Sequence, residues 1–169
     1  MADKIVNRVA NSQLKTIDLE DFYPLGLRTV IDIKSWLFHE QILKETDFRE
    51  SLKNHDWSQY KNNYVALTCS SDAIIPSWAY MLITTYVSLF AKKVVVGNLK
   101  ELETSIFQEV ISNFSIEEFK DKPVIIKGCS HKPIPETAYI QLIEKLLPVA
   151  KTIMFGEACS TVPLYKNKK

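Results

Sequence analysis

Four short apolar runs at even spacing constrain the fold more than any other feature of the chain. They are Tyr64–Cys69, Lys93–Gly97, Pro123–Gly128 and Thr152–Gly156. Short continuous runs suit strands covered on both faces. Their ends fall at 69, 97, 128 and 156, so each unit takes 28 to 31 residues. That is the length of a strand–helix–strand crossover. Helical patterns fill the gaps: Leu99, Leu102, Ile106, Val110 and Ile111 form one stripe, and Tyr139, Leu142, Ile143, Leu146 and Leu147 another. Pro135 suits a helix start. Successive crossovers predict a three-layer α/β fold with a mainly parallel sheet and helices on both faces.

The first third reads differently. Ile17-Asp18-Leu19-Glu20 and Val30-Ile31-Asp32-Ile33 alternate apolar and acidic residues. Period two marks half-buried strands. Tyr23-Pro24-Leu25-Gly26 supplies turn residues between them, which predicts an N-terminal antiparallel hairpin. Thr46-Asp47 then opens a helix through Phe48 and Leu52. The whole chain, 1–169, reads as a single α/β domain, with hairpin and helix over 1–62 and parallel units over 63–169. At 169 residues it can bury roughly 70% of its unfolded surface.

Composition excludes some functions. Twenty-one basic residues face 20 acidic ones, and so even a balance argues against a nucleic-acid or acidic-membrane binder. The first residues carry no apolar signal core, so secretion is not expected. Three cysteines without a signal point to free or metal-bound thiols in a reducing, cytoplasmic setting. The uncharged run Ala73–Ala91 imitates a membrane span, yet it holds Pro76 and lies between two strands, so a buried helix is expected. The basic end Tyr165–Lys169 reads as a solvated tail.

The rare residues fall in one place. Gly97, Gly128 and Gly156 close predicted strands. Cys69 ends the first run, Cys129 follows the third, and Cys159 lies three residues past Gly156. All three thiols are expected at the carboxyl edge of the sheet, where open α/β sheets bind ligands. In a flavodoxin-like strand order, 2-1-3-4, the three strands bearing cysteine are neighbours about 4.8 Å apart. In the order 3-2-1-4 the third strand stands roughly 15 Å from the fourth. Convergence of the thiols therefore favours the first order. Sulfur atoms more than about 8 Å apart would exclude a shared ion, given zinc–thiolate bonds near 2.3 Å.

His131 and Asp72 are the candidate further ligands, set against an exposed loop histidine and a helix cap. His39 and His55 read as structural. The metal would be zinc or an iron–sulfur cluster. The competing readings are a thiol or persulfide enzyme using Cys129 near a helix start, and a homo-oligomeric interaction module built on the helix Trp78–Phe90. No G-x-G-x-x-G, P-loop, G-x-S-x-G or H-E-x-x-H occurs, so whether the chain is an enzyme stays open.

The stretches NRVANSQLKTIDLEDFYP, ILKETDFRESLKNHDWSQY, VALTCSSDAIIPSWAYML and GEACSTVPLYKNKK cover much of the chain. They resemble an uncharacterised bacterial family, chiefly from Bacteroidetes, catalogued as domain of unknown function 2480. The resemblance brings no assigned reaction. It implies a small cytoplasmic protein and, as partners, iron–sulfur assembly proteins.

Overall fold

The computed structural model describes residues 13–128, 131–157 and 159–167. In chain order the regular elements are β1 (Lys15–Ile17), β2 (Arg28–Asp32), α1 (Glu45–Asn54), β3 (Tyr64–Thr68), α2 (Ser77–Val87), β4 (Lys93–Val96), α3 (Leu99–Asn113), β5 (Pro123–Ile126), α4 (Glu136–Leu146), β6 (Thr152–Glu157) and β7 (Ser160–Lys166). The four runs of the sequence are β3, β4, β5 and β6, and the predicted helices fall between them.

Packing divides the chain into a central unit, Pro24–Ile106, and a terminal unit formed by the described residues up to Tyr23 and from Phe107 onward. The central unit holds a parallel sheet of order β2-β3-β4. β3 is its middle strand, and the period of two sends its side chains to two different layers. Val65 and Leu67 join a core with Phe48 and Leu52 of α1 and Ala79, Ile83 and Val87 of α2. Ala66 packs instead against Leu102 and Ile106 of α3. Burial on both faces is why this strand reads as an unbroken apolar run.

The terminal unit holds a sheet of order β1-β5-β6-β7. β1, β5 and β6 run parallel, and β7 returns antiparallel on β6 with a bulge between Ile153 and Met154. Ile17, Val124, Ile126 and Ile153 meet Ala138, Leu142 and Leu146 of α4 and Phe107 and Ile111 of α3 in its core.

Several expectations are corrected here. The parallel strands lie in two sheets among the described residues, not one, and the order 2-1-3-4 occurs in neither. The place beside β3 that the third run was to take is filled by β2, which pairs residue for residue from Arg28↔Tyr64 to Asp32↔Thr68. The antiparallel hairpin is likewise absent. β1 pairs parallel with β5, so the two N-terminal strands each complete a different sheet. Tyr165 and Lys166 are no solvated tail: they pair with Ile153 and Thr152, and Tyr165 packs against the terminal core. No helix among the described residues is long and apolar enough to cross a membrane. The apolar run Ala73–Ala91 yields only the 11-residue α2.

Gly97 shows why a strand here ends in glycine. Its φ is +136°, and a Cβ there would collide with the Glu101 carboxylate. That carboxylate accepts from the Asn98 amide at 2.7 Å, while Asn98 Oδ1 accepts from Lys100 N at 2.8 Å and Glu101 N at 3.2 Å. This reciprocal cap starts α3, and only glycine lets the chain turn into it.

Candidate functional site

The carboxyl edge of the central sheet is built by the residues that leave β2 and β3. Asp32 ends β2. Its Oδ1 accepts from Lys34 N at 3.0 Å and Ser70 N at 3.1 Å, and its Oδ2 accepts from Ser70 Oγ at 2.5 Å. Burial pushes the Asp32 carboxyl up. The Ser70 hydroxyl, the two amides and the Lys34 charge outweigh that and hold it below the ordinary carboxylate value. One carboxylate thus ties the turn after β2 to the turn after β3.

Lys34 Nζ then meets Glu40 Oε2 at 2.9 Å. The Glu40 hydrogen bond and charge raise the Lys34 pKa. Glu40 reaches this position from a strained turn, since His39 and Glu40 both have positive φ, 48° and 60°. Left-handed backbone at two successive non-glycine residues is uncommon and has to be held by its surroundings. A bridge between Phe38 and Ile42 closes the loop, and Lys44 Nζ stands 3.1 Å above the Phe38 ring.

Two hollows open at this edge. The larger, about 1070 Å³, is walled by Lys34, Glu40, Ser70, Ser71, Asp72 and Trp78, with Ile42 and Ile74 at its side. The smaller, about 490 Å³, is lined by Asp32, Trp36, His55 and Tyr60. Lys34, Glu40 and Ser70 border both. His55 lies against Trp57 and Trp36 at ring distances of 4.6 and 5.2 Å, and its Nε2 is 3.0 Å from the Tyr60 hydroxyl. Burial lowers the His55 pKa, with Asp56 pulling weakly the other way.

The residues expected to carry function fall in both units. Cys69 follows β3 as expected, but it is half-buried against the core, with its sulfur 3.3 Å from the Ser71 hydroxyl. Asp72 is exposed and walls the larger groove. It caps no helix, because α2 begins at Ser77 behind Pro76. Cys159 is exposed in the turn between β6 and β7, in the other unit. Cys129 lies outside the described residues. His131 is exposed in the terminal unit, where its amide and that of Lys132 donate to the Glu20 carboxylate. Convergence of the three thiols as predicted requires one sheet; Cys69 follows a strand of one sheet and Cys159 a strand of another. Among the described residues no three His, Cys, Asp or Glu side chains stand together as a metal site.

The terminal unit has its own tie at the equivalent edge. Asp18, after β1, accepts from Lys127, after β5, at 2.9 Å. Burial raises the Asp18 pKa, and the Lys127 hydrogen bond, the Glu20 amide and the Lys127 charge more than reverse it. Sequence reasoning missed Asp32, Lys34 and Glu40. The available signal is an acid at the last position of an alternating strand, Asp32.

A family model described as a protein of unknown function (DUF2480) matches residues 3–167, and the chain belongs to that family. No curated protein and no solved structure matches it.

Proposed function

We propose that this member of the family binds a small polar molecule in the larger groove of the central unit. The observation that carries the reading is the position and wall of that groove. It opens at the carboxyl ends of parallel strands, where the chain has just left β2 and β3, and eight of its fourteen lining residues are polar or charged. Parallel sheets bind ligands at this edge because the loops there diverge and leave a crevice. The hydrogen bonds of Asp32 to Ser70 and Lys34 hold two sides of the wall in place without a ligand, which lowers the ordering cost of binding.

The test is a thermal-shift and calorimetric screen of polar metabolite-sized compounds on the whole chain and on Ser71→Trp. The substitution puts an indole into the groove from its wall. A compound that binds the wild type and loses at least tenfold in affinity on Ser71→Trp, with the variant folded, supports the site. Binding unchanged by the indole counts against it.

A thiol-held zinc or iron–sulfur centre is the second reading. It is favoured by one observation: both described thiols follow the carboxyl ends of parallel strands, β3 and β6, and neither is buried. A cytoplasmic setting and iron–sulfur assembly proteins as partners belong to the same proposal. Anaerobic purification, metal analysis and visible absorption test it. A colourless protein that takes up neither zinc nor iron with sulfide would end it.

A further inference from the structure

We infer that the ligand of the larger groove is an alkylammonium, a primary amine on a short apolar chain. This rests on the reading of the groove as a ligand site and adds its chemistry. The charges of the wall are Lys34 against Glu40, Glu45 and Asp72. Two of the three carboxylates are already matched: Glu40 pairs with Lys34 at 2.9 Å and Glu45 with Arg49 at 2.9 Å. Asp72 has no hydrogen bond or ion pair among the described residues. The groove therefore carries one unmatched negative charge, and an entering cation gains what an entering anion loses.

The rest of the wall fits the remainder of such a molecule. Ile74 is 92% exposed, and Ile42 is also exposed on the same groove. Two large aliphatic side chains left in water beside a lone carboxylate offer an alkyl stem a surface to cover. Trp78 supplies an aromatic wall, and its ring already takes the Arg49 guanidinium at 5.7 Å, so it tolerates a cation close by. A carboxylate for the ammonium, an indole beside it and branched aliphatics for the stem recognise an alkylammonium. A phosphate or dicarboxylate would meet Asp72 with like charge.

The experiment uses the whole chain and three probes on the same four-carbon chain: butylamine, butanol and butyrate. Calorimetry should show butylamine bound and butanol and butyrate not. Asp72→Asn should weaken butylamine about fivefold, the scale of one exposed charge pair. Lys34→Gln should strengthen it by up to about fivefold, because it releases Glu40 to the ligand. A gain of affinity on losing a side chain is not something a merely structural role for Lys34 would produce. Butylamine binding that Asp72→Asn leaves unchanged overturns the assignment. Butyrate or butanol binding, with loss on Ser71→Trp, overturns the ammonium class and leaves the groove as the ligand site. If no probe and no compound of the wider screen binds in the groove, the reading of the groove itself falls.

Discussion

Removing the Arg28 guanidinium should destabilise the central unit more than any surface charge change. Arg28 opens β2, the strand whose far end carries Asp32. Its Nε donates to Glu103 Oε1 at 2.6 Å, and its second terminal nitrogen lies 3.4 Å from Oε2. The remaining terminal nitrogen donates to the carbonyls of Pro24 and Gly26 at 2.8 and 2.7 Å. The guanidinium also stands 4.8 Å above the Tyr64 ring. The side chains are only 13% and 9% exposed. Arg28→Met keeps the stem but strips these bonds and leaves a mostly buried carboxylate facing a thioether. Breaking one side of a buried pair costs roughly 3–5 kcal/mol. All three tryptophans, Trp36, Trp57 and Trp78, lie within Pro24–Ile106, so urea unfolding followed by their fluorescence reports this unit. The unfolding free energy should fall by that amount, seen as a lower midpoint at unchanged slope. The double variant Arg28→Met, Glu103→Met should be less destabilised than the sum of the single variants, because the stranded carboxylate is gone. A cost below about 1 kcal/mol, the range of exposed pairs, would refute the reasoning. So would strict additivity.

Gly97→Ala should lose roughly 1–3 kcal/mol through positive φ and collision with the α3 cap, and thermal unfolding that does not move would contradict the cap geometry. Lys145 donates to the carbonyls of Ile111, Ser112 and Phe114 at 2.8, 2.8 and 3.0 Å, closing the end of α3. Lys145→Met should cost about 1–2 kcal/mol and speed amide exchange in the last turn of α3; an unchanged exchange rate would argue against the cap. His55 titrates below its ordinary value because it is partly desolvated, so below about pH 6.5 the unfolded chain takes up the proton first and stability falls as pH drops. His55→Gln should flatten that fall between about pH 7 and 5, measured by urea midpoints; an equal slope would assign the proton elsewhere. Asp32, held low, acts at more acid pH: its contribution is full above about pH 4 and is lost as pH falls through its lowered value. Asp32→Asn should therefore blunt acid unfolding, and a curve matching the wild type would show that the three hydrogen bonds of its carboxylate carry no net stability.

The strands covered on both faces were legible because burial on both sides writes a continuous apolar run. β3, β4, β5 and β6 all appear where those runs stand. Partnership was not legible. Period-two alternation in β1 and β2 tells which side chains are buried but not which strand lies alongside, and each strand found a parallel neighbour far along the chain. β7 escaped notice because it is an edge strand with Pro163 in it and Val162 and Leu164 exposed, so its pattern has no buried alternation to detect. The same limit governs the site. Cys69 and Asp72 were placed correctly after the first run, since strand ends are local. Asp32, Lys34 and Glu40 become site residues only once β2 lies beside β3, a fact of pairing.

Assigned amide spectra of the whole chain, recorded while the best compound from the polar screen is titrated in, test the central claim most directly. The account predicts that shift changes concentrate at Lys34, Glu40, Ser70 to Ile74 and the Trp78 indole. Changes confined to the terminal unit, around Lys127, His131 and Cys159, would contradict it and move the site to the other sheet.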